Sequence, residues 1–190
     1  MGELVNIFKP IRSIGEEAFQ RAILRNGKTI LKDKTEIKWL DIELPVDPNR
    51  VTRGPSVDLI GRIGNRYVLC ELKFRKDNNN TDSPEDAANQ IIDYHKKIKK
   101  NWRDLENQDL HHPKCEIFKW EDLASDDTIL CVTANVSYWE YWLEHRKNDI
   151  SKIDGVRFYS VDIPADTFKL QKGIKDKYTP KIETNSWDIL

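Results

Sequence analysis

Residues Ser56–Phe74, SVDLIGRIGNRYVLCELKF, hold two apolar runs, Val57–Ile63 and Arg66–Phe74, divided by Gly64-Asn65. Two such runs separated by a two-residue glycine-containing step read as a β-hairpin. A two-residue turn makes Ile63 face Arg66, and counting outward pairs Arg62 with Tyr67, Ile60 with Leu69 and Asp58 with Glu71. The two carboxylates become cross-strand neighbours, with Cβ atoms about 5 Å apart, and Lys73 projects from the same face as Glu71 because side chains alternate along a strand. Like charges so opposed destabilise the pair unless something positive lies between them. A divalent cation meets that need, since Mg²⁺ is held by one or two carboxylates with water and substrate oxygens completing its shell. Lys73 as an ordinary ion-pair partner meets it too.

Outward from the hairpin, Ser13-Ile-Gly-Glu16 opens an amphipathic helix in which Phe19, Ala22 and Ile23 recur at helical spacing and Asn26-Gly27 forms the C-cap. TEIKWLDIEL, Thr35–Leu44, reads as a strand ended by Pro45. After the polar Asp77–Thr81 loop, Ser83 caps a second helix with Pro84 in its first turn and Asp86 at the capping-box position, running to about Glu106. Asn107–Asp127 is mixed and left unassigned. TILCVTAN, Thr128–Asn135, reads as a strand covered on both faces. A short aromatic helix follows, capped by Ser137, and Gly155–Ile163 alternates as a last strand.

The chain has 190 residues, the length of a single domain with a substantial core. Lys plus Arg (31) nearly balance Asp plus Glu (32), so any nucleic-acid contact must come from a local patch. Three dispersed cysteines, Cys70, Cys115 and Cys131, read as reduced thiols. No apolar run approaches the ~20 residues that span a bilayer, and no signal segment is evident. The expectation is a soluble cytoplasmic protein without a membrane partner.

Asp58 followed by Glu71-Leu72-Lys73 resembles the PD-(D/E)XK nuclease superfamily, in which an Asp on one strand precedes Glu-x-Lys on the next. The order of elements over most of residues 13–135 resembles that superfamily's core. Glu16 in GEEAFQRAIL, with Glu17 as its substitute, resembles by position the Glu often carried on the first helix, and Gln90-Ile-Ile-Asp-Tyr94 resembles the Gln-x-x-x-Tyr motif of RecB-type members. Val57 stands where the motif's proline would precede Asp58.

The resemblance implies an α/β (α+β) restriction-endonuclease-like fold, a central mixed sheet of four to five strands flanked by helices. Its order would be αβββαβ followed by αβ, in one domain with its core at about 13–135 and a C-terminal elaboration at about 136–190. It implies a Mg²⁺-dependent (or Mn²⁺-dependent) deoxyribonuclease. Asp58, Glu71, the Leu72 carbonyl and Glu16 would hold the metal, Lys73 would orient water, and Gln90 and Tyr94 would position the strand. The nucleic-acid track would be Arg75 and Lys76 with Lys96, Lys97, Lys99 and Lys100. DNA is the expected partner, with RNA and a homodimer left open; the other reading is an inactive nuclease-fold module for nucleic-acid binding or protein interaction.

Each assignment has a plainer counterpart. Glu16 also completes a capping box with Ser13. Gln90 and Tyr94 share a helical face that a core tyrosine would also occupy, and the lysines could line a solvated helix face. His111-His112-x-x-Cys115 carries ligand types without a second matching pair. Tyr138, Trp139, Tyr141 and Trp142 could stack on bases or fill the core.

Overall fold

The computed structural model describes residues 15–49, 54–76, 81–108, 110–112, 115–162 and 187–190. Helix α1, Glu16–Asn26, ends on Gly27, whose φ of 72° places it in the left-handed region that lacks a steric penalty only for glycine. Strands β1 (Lys28–Ile30), β2 (Glu36–Pro45), β3 (Ser56–Ile63) and β4 (Arg66–Lys73) follow. Then come α2 (Pro84–Glu106), α3 (Trp120–Leu123), β5 (Ile129–Asn135), α4 (Val136–Trp139), β6 (Val156–Val161) and β7 (Trp187–Ile189). A π-helical turn, Glu140–His145, continues directly from α4.

The hairpin has the expected register. Ile63 pairs with Arg66, Arg62 with Tyr67, Ile60 with Leu69 and Leu59 with Cys70, around Gly64 at φ 56°. The ladder ends one residue short of Asp58 and Glu71. The α2 start is also as expected, with the Ser83–Asp86 capping box complete and Pro84 in the first turn.

Three expectations need correction, the smallest being the cap of α4, which is Asn135 and not Ser137. Among the described residues the sheet has seven strands in the order β1 to β7, not four to five, so the expected restriction-endonuclease-like arrangement of a smaller sheet does not describe it. Four strands, not three, precede α2, because Lys28–Ile30 forms a short edge strand; at the other edge Trp187–Ile189 adds β7. Helix α1 has Gly15 as its N-cap, so Glu16 is the first helical residue and not the third as a capping box requires; Ser13 lies outside the described residues.

β1 to β4 are antiparallel, β4–β5 and β5–β6 are parallel, and β6–β7 is antiparallel. The parallel β4–β5 pair needs a long crossover, which α2 supplies. A single parallel bridge, Leu31 with Trp187, links the two edges of the sheet.

Two apolar clusters cover the two faces. One, with Phe19, Ala22 and Ile23 of α1, takes Val68, Cys70 and Leu72 of β4; the other, with Ala88, Ile91 and Ile98 of α2, takes Leu69. Glu71 and Lys73 therefore share the α2 face by alternation. Alternation breaks at the Trp39–Asp41 bulge and again next to the site: Ile42 and Leu59 lie under α1, while Leu44 and Val57, each two residues away on its strand, lie under α2. Between them stands Glu43 at φ 51°, across from Asp58 by the Ile42–Leu59 and Leu44–Val57 register. A non-glycine residue at positive φ costs of order 1 kcal/mol and marks a place where the chain re-aims a side chain. Among the described residues no helix is long and apolar enough to cross a membrane.

Candidate active site

The break in alternation at Glu43 puts the Asp58 carboxyl at a seam between the two faces. From the α1 side Gln20 Nε2 donates to its Oδ1 at 2.7 Å, and from β4 the Leu72 amide donates to its Oδ2 at 2.8 Å. Asp58 also comes within hydrogen-bonding reach of the Glu71 side chain. Two carboxyls that close cannot both be ionised cheaply, and they share a proton unless a cation replaces it.

Glu71 is 1% exposed and Lys73 6%. The Lys73 ammonium donates to Glu71 Oε1 at 2.8 Å and lies 3.2 Å from Asp82 Oδ2, just before α2. Glu71 Oε2 is buried and accepts from no N–H donor among the described residues.

Electrostatics follow from the enclosure. Burial, then the Glu71 charge, pushes Asp58 well above the ordinary carboxylate range. Burial raises Glu71 to about 7 against the opposing pull of Lys73. Burial, then Asp58, raises Glu16 to about 7, while Lys73 and a hydrogen bond from the Phe74 amide pull it down. Burial works against the Lys73 ammonium, but Glu71, and after it Glu16 and Asp58, outweigh that and hold it charged. Glu16, Asp58, Glu71 and Lys73 thus form one interacting group.

On α2, Gln90 Nε2 donates to Tyr94 Oη at 2.8 Å. The Tyr94 phenol is raised first by burial and next by Glu71, so this pair faces the same carboxyls. Of the five lysines assigned to the track, four lie on α2, and of these Lys97 shares the Tyr94 face, 5.7 Å from its ring centre, and is paired with Asp93 at 2.6 Å. Lys99 is turned to Asp126, and Lys96 and Lys100 are exposed away from the group. Lys76 is exposed, while Arg75 lies over the Tyr141 ring.

The aromatic run divides. Tyr138 and Trp139 are core residues, whereas Tyr141 and Trp142 in the π-helical turn are half-buried. His111, His112 and Cys115 gather round Asp41, which is fully buried. Asp41 accepts from His112 Nδ1 at 2.7 Å, the His112 amide at 3.0 Å and the Ile42 amide at 2.8 Å. Burial and Asp41 together push the Cys115 thiol up to about 12. This is a polar fastener tying the segment after α2 to β2.

The site also contains residues that motif reading overlooked. Gln20 stands four positions after Glu16 and so on the same helical face, which was its available signal. Asp82 has none beyond its place before the helix cap. Asp41 announced itself as a charge inside the apolar run IKWLDIEL.

Among the described residues no group of three or more His, Cys, Asp or Glu side chains is arranged to hold a metal. No protein-family model, no curated protein and no solved structure matches the chain.

Proposed function

We propose that the chain is a metal-dependent nuclease of the PD-(D/E)XK type that hydrolyses phosphodiester bonds of DNA. The observation that carries this reading is the apposition of the Asp58 and Glu71 carboxyls with the Lys73 ammonium 2.8 Å from Glu71 at the open end of the β3–β4 hairpin. Burying two carboxyls side by side is costly for a fold that has no use for them.

The donors fit a hard divalent cation: all are oxygens, two carboxyls are adjacent, and one buried Glu71 oxygen accepts from no N–H among the described residues. Asp58, Glu71 and the Leu72 carbonyl would hold Mg²⁺ or Mn²⁺, with Glu16 contributing directly or through water. When bound, the ion lowers the pKa of its water and offsets the charge developing at phosphorus.

The chain's own groups divide the remaining work. Lys73, fixed between Glu71 and Asp82, orients the attacking water and meets the negative charge of the transition state. Gln20 and the Leu72 amide hold the Asp58 carboxyl in one orientation. Tyr94 accepts from Gln90 and keeps its phenol proton for a phosphate oxygen. Water adds to phosphorus, one P–O ester bond breaks, and the products are a phosphate monoester and a hydroxyl.

The test is incubation with single-stranded, duplex and branched DNA in Mg²⁺ or Mn²⁺, then in EDTA, beside Lys73→Ala. Cleavage that stops with the chelator and with the substitution supports the reading. Cleavage surviving both overturns it, and salt-sensitive binding without any cleavage favours an inactive binding module.

A further inference from the structure

Next to the carboxyl group lies an aromatic arrangement to which the hydrolytic reading gives no role apart from Arg75, already placed on its nucleic-acid track. Arg75, two residues past Lys73, lays its guanidinium 3.7 Å from the centre of the Tyr141 ring. The Arg146 guanidinium lies 5.3 Å from the same centre, and Arg146 Nε donates to Tyr141 Oη at 2.8 Å. The Trp142 ring meets Tyr141 nearly edge-on at 5.0 Å, and its indole N–H donates to Thr81 Oγ1 at 3.3 Å.

The framework beneath is rigid and reaches the centre on two sides. The Asn135 side chain clamps the Arg75 backbone, accepting from its amide at 2.9 Å and donating to its carbonyl at 2.7 Å. Tyr138 Oη donates to the Asp82 carbonyl at 2.9 Å, and Asp82 itself contacts Lys73. Two residues of extended chain cover at most about 7 Å, which keeps the Arg75 backbone close to that of Lys73.

A purely structural account covers Tyr138 and Trp139, which are buried, but leaves Tyr141 and Trp142 half-buried beside two guanidiniums. Arg146 is exposed and makes no ion pair among the described residues. Two cations on one phenol ring, next to a half-buried indole, are what an unpaired nucleotide requires. Flat π and guanidinium surfaces stack a base, and positive charge takes the flanking phosphates. A duplex keeps its bases stacked inside and offers such a surface nothing beyond phosphates.

We infer that Tyr141, Trp142, Arg75 and Arg146 form a subsite for an unpaired nucleotide beside the cleavage centre, so that the substrate is a single-stranded DNA segment. The inference rests on the nuclease reading for its biological meaning, but the binding it describes is measurable without cleavage.

The experiment is fluorescence anisotropy of labelled oligo(dT) and of a mixed-sequence duplex of equal length, in EDTA, with melting temperatures recorded for each variant. Wild type should bind the single strand at least about 10-fold more tightly than the duplex. Trp142→Ala should weaken single-strand binding about 10-fold and leave duplex binding unchanged, with Trp142→Phe restoring most of the loss. Arg146→Gln, on the surface and so tolerated by the fold, should weaken single-strand binding and reduce the slope of affinity against salt by roughly one contact. Equal affinity of wild type for both DNAs, or single-strand binding unmoved in Trp142→Phe, Trp142→Ala and Arg146→Gln alike, overturns the subsite. Intact single-strand preference with no cleavage of any DNA overturns the nuclease reading and leaves the subsite standing.

Discussion

Lys73 and Glu71, two positions apart on β4, meet at 2.8 Å with both side chains almost wholly buried. Removing one partner from a buried pair strands the other's charge, at a cost of about 3 kcal/mol or more. Glu71 can escape by taking a proton, since burial already holds its pKa at about 7. Lys73→Ala should therefore abolish cleavage at every pH, while urea unfolding should show a larger loss of stability at pH 8 than at pH 5.5. A loss equal at both values would mean that Glu71 is not the group left without its partner.

The metal-free protein should lose stability as pH rises. Glu16 and Glu71 are both raised from 4.5 to about 7, so the folded chain binds these protons more tightly than the unfolded chain. Their contribution is complete below about pH 4.5 and is lost as pH climbs through about 7. Melting in EDTA should shift downward between pH 5 and pH 8, and Glu71→Gln should flatten the trend. A melting temperature that climbs across that window would contradict the enclosure of these carboxyls.

Divalent cation should reverse the trend. Metal and proton compete for the same oxygens, so millimolar Mn²⁺ should raise the melting temperature more at pH 8 than at pH 6. A ligand present at about 100 times its Kd stabilises by about 2.7 kcal/mol, worth several degrees for a chain of this size. Glu71→Gln should lose most of this shift. Identical shifts in wild type and variant would remove the ion from this site.

Gln20→Leu keeps the bulk of the helix face but deletes the hydrogen bond to Asp58 Oδ1. Groups that orient a metal-binding carboxylate typically matter by 10- to 100-fold. We expect kcat/KM to fall by about that factor in Mg²⁺ while far-ultraviolet circular dichroism stays unchanged. Full activity would show that Asp58 is oriented by the Leu72 amide alone.

Trp187 is 1% exposed and packs 5.6 Å from the Trp39 ring and 6.1 Å from Tyr159. Trp187→Ala should cost roughly 3–5 kcal/mol, as burying a large aromatic usually contributes. Denaturant unfolding monitored by circular dichroism measures it; a change under about 1 kcal/mol would mean that β7 does not pack in solution.

How much could be read beforehand varied with the length of each signal. The β3–β4 register was legible because Gly64-Asn65 fixes the turn and long apolar runs flank it, and the α2 start was legible because Ser83, Pro84 and Asp86 each have a positional meaning. β1 and β7, three residues each, are too short to show a period, and so the strand number came out low. α3, a single turn, was lost in an unassigned segment for the same reason. In the site, Asp58, Glu71, Lys73 and Glu16 were legible as charges at constrained positions. Gln20 shows only its spacing of four from Glu16, a weak signal because any residue at that spacing shares the face, and the face switch at Glu43 depends on a backbone angle that a glutamate does not advertise. The lysine run was visible, but only helical geometry distinguishes Lys97 from Lys96, Lys99 and Lys100.

The bridge between Leu31 and Trp187 has a consequence for self-association. An open sheet offers a rim of unused amides at each side, where a foreign strand can dock and a fibril can begin. Among the described residues the outermost strands are stubs of three residues tied to each other through this bridge, which closes part of both rims, and loosening Trp187 would open that closure on two margins at once.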